Sequence, residues 1–428
     1  MAQILPLRGI RYTPAAGELG SLLAPPYDVI SPAQHEALLQ SSRYNAVHVE
    51  LAGEGGDRYE TVARRFEGWI ANGMVARDSE PMLYVYEQDF RYRGVDHTRR
   101  ALLTGVEVQP WEEGAVKPHE YTMSGPKADR LALLQATRTQ FSPLFMIARD
   151  RAGQLRQFME DTVAQEPAVA SGTSLDGDGH RLWAVPAGPL EMRRLAPLFA
   201  ESFYLADGHH RYETAQAYRE WLTAREGSLD TWHPARYVMT DLVPASDPGL
   251  IIRPIYRSVA RPAPEDWRAR LEATFEIGEL GTGPKDERFA EVAQAELEGE
   301  GSVVVALGLA HGKAIVLRKR ASVDLAPLAP AGYSTEWAAV APNLCRLAIL
   351  DPLWAMTDED LRAGAVDFVH DIPDAVSRAD AGAVVFLIQP VAIPEVVSLS
   401  DRGERMPQKS TFFHPKMGTG LVFNPLYP

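Results

Sequence analysis

The chain has 428 residues, 46% of them hydrophobic and 23% charged; this is ordinary globular composition with length for two or three packed units, so disorder is not the expectation. A formal net charge of -14 excludes a general nucleic-acid or membrane-surface binder, which needs a basic field to replace phosphate counterions. A single cysteine, Cys345, leaves no internal disulfide, no thiolate zinc cage and no CxxC redox pair.

No apolar run reaches the roughly 18 residues of a membrane span. Arg8 and Arg11 interrupt the N-terminus too early for the apolar region of a signal peptide, and the expected compartment is a reducing cytoplasm. Along the chain, Ala24 to Pro32 reads as a strand-to-helix junction, with Ser31 as cap and Pro32 in the first turn. A helix is expected at 58–72, then a hairpin of strands at 82–90 and 98–108 turning at Arg93-Gly94. Residues 127–138 carry apolar side chains at helical spacing. A second hairpin runs from Thr173 to Val185 through Asp176-Gly177-Asp178-Gly179, followed by a helix near 189–199 and a buried strand at 203–206. The chain then turns at Asp207-Gly208 into a helix over 211–225 rich in good formers. Strands are expected at 236–243 and 250–257, a helix–strand pair over 285–318, helices at 358–363 and 373–380, and a strand at 383–389. Ala326 to Tyr333 is the linker candidate, and 406–428 is a loop-rich tail. Helices and strands without regular βαβ alternation point to an α+β architecture, divided as 1–245 and 246–428.

Three stretches carry the residue types of a chemical site. In Tyr204 to Ala215, five polar or special residues, Asp207, Gly208, His209, His210 and Arg211, sit where a strand hands over to a helix. Free backbone N–H groups and the positive end of the helix dipole attract an anion there. Gly208 permits close approach, and Arg211 adds a planar donor fork. Asp207 has two further uses, capping the helix or binding a divalent metal. Adjacent histidines point in different directions, so His209 and His210 do not make a metal pair by themselves. The competing account is a polar junction in which Asp207 only caps.

The second stretch, Lys117 to Thr122 with Lys127, Asp129 and Arg130, places a carboxylate, Glu120, beside basic groups, as a general base near a polyphosphate would be placed. Its competing account is a solvated helix start capped by Thr122 or Ser124. The third, Met406 to Lys416, brings Lys409, Ser410, Thr411 and Lys416 together with aromatics. It reads either as a flap over a nucleotide or as a C-terminal strand sealing a sheet edge. Asp28, in the Pro25-Pro26-Tyr27-Asp28 turn, is a weaker candidate. Phosphate-loop, GxGxxG, HExxH and GxSxG motifs are absent, which disfavours the standard nucleotide-binding and hydrolase folds.

The segments PPYDVIS at 25–31, HEYT and KADRL within 119–131, ADGHHRYETA at 206–215, DPGL at 247–250 and MPQKSTFFHPK at 406–416 together resemble the bacterial and archaeal family called domain of unknown function 1015. After DPGL that family usually shows a Pro-Thr-His-Arg string, where this chain has Pro254-Ile255-Tyr256-Arg257. The DGHHR turn also looks like that of the ParB/sulfiredoxin-like superfamily, which includes kinases acting on free serine. This resemblance implies a ParB/sulfiredoxin-like core with large elaborations and phosphoryl transfer from ATP, with Mg²⁺, to the hydroxyl of a small metabolite, free L-serine first. It puts Asp207, His209, His210 and Arg211 at the phosphates, with Asp207 at the metal. Glu120 matches the acidic base, and Gly208, Lys127, Arg130, Lys409, Ser410, Thr411 and Lys416 are the nucleotide-binding candidates. A sulfiredoxin-type reaction is set aside because the turn lacks a cysteine. The alternatives are a phosphatase or nucleotide hydrolase using the same anion pocket, and a non-catalytic nucleotide-binding regulator.

Overall fold

The computed structural model describes residues 3–51, 53–121 and 127–427; it is mixed α+β, with several sheets and flanking helices. Thr122 and Ser124, the capping candidates, lie outside the described residues. The chain divides into two compact units, one of Met1–Pro118, Thr122–Ile251 and Pro415–Pro428, the other of His119–Tyr121 and Ile252–His414.

The first unit is built on a nine-stranded mixed sheet. At its centre the strands Met82–Tyr92 and Val95–Glu107 form the expected hairpin, with Arg93 and Gly94 both at positive φ in the turn. Tyr237–Pro244 pairs antiparallel with the second hairpin strand and parallel with Leu144–Ala148. Next comes Phe203–Asp207, antiparallel to Leu144–Ala148 and parallel to Val116–Pro118 at the edge. On the other flank Gly179–Pro186 and Ala170–Thr173 complete the order.

Side chains alternate across a strand, and the two faces differ accordingly. One presents Leu83, Val85, Leu102, Leu144, Met146, Leu205 and Leu242 to a core closed by Leu155, Phe158 and Met159, Leu195, and Tyr212 with Ala215. Each such side chain stabilises the fold by about 1.5–3 kcal/mol when fully buried. The other face carries buried polar groups, with Gln88 opposite Arg99 on one side and His180 on the other, and Asp241 opposite Leu103. A second core gathers Phe66, Trp69, Leu133, Phe141 and Phe423.

The second unit holds a six-stranded sheet whose successive pairs are all antiparallel, in the order Phe275–Glu279, Lys313–Lys319, Val303–Ala310, Val384–Ile388, Tyr256–Val259 and Asp367–Val369. Helices Phe289–Leu297 and Ile372–Asp380 pack on it. The expected linker lies inside this unit: Ala326–Leu328 is a short 3-10 turn.

Three further differences have physical causes. The helix expected from 211 begins at His209, because Gly208 at φ +93° turns the chain one step after the strand ends. Short helices from Thr335–Ala339 to Asp351–Trp354 escape periodicity because Pro342 and Pro352 fall among them. Ile393–Asp401 has its signal in Pro394 within the first turn and Glu395 reaching back to the backbone of Ala392. In the tail, Phe412–His414 is a short strand, and Asn424–Pro425 pairs antiparallel with Thr139–Gln140.

Candidate functional site

The turn of the first unit is shaped by two local devices. The register of Phe203–Asp207 against Leu144–Ala148 shifts between Leu205 and Asp207, an irregularity of the kind that re-aims a side chain at a strand end. Gly208 then takes the left-handed conformation, where an added Cβ would lie 2.5 Å from Leu144 Cδ2 and 3.0 Å from Arg211 Nε. Gly208, which has no side chain to cap with, stands at the helix N-cap, and the Asp207 carboxylate before it meets Arg211 and Lys416. His209–Glu226 runs 18 residues, and its first turn is formed by His209, His210 and Arg211.

Asp207 sits between two cations. Arg211 Nη2 donates to Oδ2 at 2.6 Å, the Lys416 ammonium meets Oδ1, and all three side chains are only 11–13% exposed. Burial alone would raise the Asp207 carboxyl, but Lys416, Arg211 and His209 overcome it and hold the group down to about 2. Arg211 is loosened by burial and held charged chiefly by Asp207 and then Asp28. Its Nη1 also donates to the Pro143 carbonyl. Two buried cations and a helix N-terminus, which carries about half a positive charge, thus face the Asp207 carboxylate, with Asp28 and Glu50 also acting on Arg211.

Beside the turn, a cavity is lined by Glu50, Arg130, Gln140, Ser142, Arg211 and Thr214 among apolar neighbours. Ser142 Oγ donates to Glu50 Oε1 at 2.9 Å, and Arg130 Nη1 to the Glu50 carbonyl at 2.7 Å. Arg130 also grips Asp129 at 2.6 Å and lies 4.4 Å over the Tyr27 ring. Burial pushes the Tyr27 phenol up to about 12 even with Arg211 and Arg130 nearby. Lys127 is salt-bridged to Glu213 of the helix. The turn, Lys127, Arg130 and Lys416 therefore all belong to the first unit, with Asp28 within electrostatic reach of Arg211.

Glu120, Lys409, Ser410 and Thr411 belong to the second unit, and they bind one another. Glu120 Oε1 accepts from Thr411 N at 2.8 Å, Thr411 Oγ1 at 2.8 Å and Ser410 N at 3.1 Å, and its Oε2 accepts from Lys409 N at 3.1 Å. Ser410 Oγ donates to the Pro407 carbonyl at 2.7 Å. The carboxylate thus organises the backbone of the 407–411 turn, where Lys409 holds φ +58°.

An Mg²⁺ ion needs only one or two protein carboxylates beside the phosphates it accompanies, and in this turn Asp207 would be the one to meet it. Both oxygens of Asp207 are occupied by cations, and among the described residues no three His, Cys, Asp or Glu side chains gather into a metal cluster. Glu50 and Ser142 escaped the sequence reading: neither lies in a motif, and 92 positions separate them. Buried charge opposite a hydroxyl becomes visible only after the chain folds.

Comparison with known proteins places the chain among distant likenesses. No curated protein matches it. A conserved hypothetical protein from Pyrococcus furiosus is 16% identical, with 74% of this chain and 95% of that one covered and a TM-score of 0.32. Free serine kinase in complex with AMP is 13% identical, with 74% and 92% covered and a TM-score of 0.35. SbnI with C-terminal truncation, from Staphylococcus aureus, is 10% identical, with 76% and 87% covered and a TM-score of 0.37. The model of one family, described as Protein of unknown function (DUF1015), matches residues 4–334, and the chain belongs to that family.

Proposed function

We propose that the Asp207–Arg211 turn with Lys416 holds the phosphates of ATP, and that the chain is a small-molecule kinase that phosphorylates a hydroxyl, with free L-serine the first acceptor to try. The observation that carries this reading is the pair of buried cations, Arg211 and Lys416, converging on Asp207 at the start of an 18-residue helix. In phosphoryl transfer the protein mainly positions the groups and stabilises the charge that develops on the phosphoryl oxygens. Arg211 supplies a planar fork for two oxygens and Lys416 a point charge. Asp207 keeps both cations aimed before the anion arrives, so little reorganisation is needed when it does. The cavity flanked by Glu50, Arg130 and Ser142 is the proposed seat of the acceptor, a small compound whose polar groups suit that lining.

The test incubates the protein with ATP, with and without Mg²⁺ and serine, and follows ADP, phosphoserine and free phosphate. ADP with phosphoserine in equal amounts supports the kinase. ADP with free phosphate that ignores serine makes the chain a nucleotide hydrolase. ATP binding by calorimetry without any product makes it a nucleotide-binding regulator, and no binding removes the reading altogether.

A further inference from the structure

Lys416 lies 209 positions from Asp207, on the C-terminal segment that returns to the first unit at Pro415. A lysine side chain carries about 2 kcal/mol of rotamer entropy, so its aim depends on how firmly its backbone is held. Here three successive residues are gripped from the polar face of the sheet. Arg99, 1% exposed in the middle of the Val95–Glu107 strand, donates from Nη2 to the Pro415 carbonyl at 2.7 Å and touches Met417 Sδ at 3.4 Å. Gln88, its cross-strand partner, donates from Nε2 to the carbonyl of Lys416 itself at 3.2 Å. The two clamping side chains are tied together, Arg99 Nη2 to Gln88 Oε1 at 2.6 Å. Two residues on, Thr419 and Ala24 exchange both backbone hydrogen bonds, at 2.8 and 3.1 Å, which stops the segment from sliding.

Resting on the anion-site reading above, we infer that Gln88 and Arg99 are positioning residues: they clamp the backbone on both sides of Lys416 and thereby set its ammonium at the anion site. Gln88 Nε2 is also shared with Asp178 Oδ2, at 3.0 Å. A purely structural role, sealing the C-terminal segment onto the sheet, would use the same hydrogen bonds, so the decisive measurement is coupling to Lys416.

The experiment compares the full chain with Gln88→Met, Lys416→Met and the double variant, reading Kd for ATP and for inorganic phosphate by calorimetry. Residues that act through one another fail to add. Gln88→Met is expected to weaken binding about tenfold when Lys416 is present and less than about twofold in the Lys416→Met background. Equal losses in both backgrounds would overturn the clamp. Should Gln88→Met not fold, Gln88→Glu in an Asp178→Asn background serves instead: it keeps the acceptor for Arg99, removes the donor to the Lys416 carbonyl, and avoids setting a new carboxylate against Asp178, which Gln88 Nε2 also meets at 3.0 Å. A ligand-free readout separates this inference from the anion site: the rate at which acetic anhydride acylates Lys416, followed by mass spectrometry. If the wild type binds neither ATP nor phosphate, the anion reading fails. Faster acylation of Lys416 in the Gln88 variant then still upholds the clamp, and an unchanged rate overturns it.

Discussion

Arg211 reaches back across one helical turn to grip Asp207 at 2.6 Å, while Lys416 holds the opposite oxygen of the same carboxylate. In the proposed reading, this carboxylate holds the two cations in place for an incoming phosphate. Removing it therefore separates two roles. Asp207→Asn leaves Arg211 and Lys416 without their shared counter-charge, and breaking a buried pair in this way costs about 3 kcal/mol or more. The expected variant melts lower in anion-free buffer, and phosphate or sulfate restores much of the loss. If Asp207 instead held a metal, the same substitution would weaken binding of ATP with Mg²⁺ and phosphate alone would rescue nothing.

Arg211→Ala removes a charge-assisted donor fork. Hydrogen bonds to charged groups contribute about 1.5–3 kcal/mol, so ATP affinity should fall roughly 10- to 150-fold by calorimetry. Arg211→Lys restores the charge and not the fork, and is expected to recover only part of the loss. Full recovery would mean that net charge, and not planar recognition, decides binding.

The strand–turn–helix was legible before any coordinates because glycine, two histidines and arginine between an apolar strand and a run of helix formers leave few alternatives. The helix start was misplaced by two residues, since Gly208 opens it directly. Lys416 was a candidate from composition, yet its partner could not be read. Nothing local distinguishes a lysine that meets Asp207 from Lys409, whose amide instead serves Glu120. Glu50 and Ser142 were not legible at all, because a pair assembled from loops and helix ends has no period to betray it. The same holds for Asp241, which reads as an ordinary polar residue in a strand until the sheet closes around it.

Asp241 and Asp207 should respond to pH in opposite directions. Asp241 is fully buried with neither carboxyl oxygen hydrogen-bonded, and burial raises it from 3.8 to about 8, with Arg99 and Arg211 only partly offsetting. A raised carboxyl contributes stability that is whole below the unfolded value and is lost as pH rises through the folded one, so the window runs from about pH 4 to pH 8. Asp241→Asn is expected to gain on the wild type in chemical denaturation as pH rises across that window. Asp207, held down to about 2, contributes stability that is whole above about pH 4 and is lost as pH falls toward 2, an effect of about 2 kcal/mol. A difference between Asp241→Asn and wild type that stays constant from pH 4 to pH 8 would show that its carboxyl does not titrate there.

Gly208→Ala tests whether the turn must be glycine. A Cβ at φ +93° would press on Leu144 and on the Arg211 guanidinium, and strain of this kind costs about 1–3 kcal/mol. The melting temperature should fall, and ATP affinity should fall with it, because the same Cβ displaces the donor fork. Loss of stability with affinity intact would show that Arg211 finds the anion by another route.

Glu120 provides the last contrast, within the second unit. Three backbone amides and the Thr411 hydroxyl converge on its carboxylate, and removing it strands donors in a segment where Ser410 is 3% exposed. An unsatisfied buried donor costs about 1–3 kcal/mol, so Glu120→Ala should lower stability and speed hydrogen exchange of the Lys409, Ser410 and Thr411 amides. Glu120→Gln keeps acceptor oxygen on the turn and removes the charge, so it should protect those amides better than alanine does. A proton-accepting role predicts another pattern: Glu120→Gln would abolish turnover while leaving exchange at 409–411 as in the wild type. Exchange and turnover measured on the same two variants therefore separate a residue that builds the 407–411 turn from one that takes a proton.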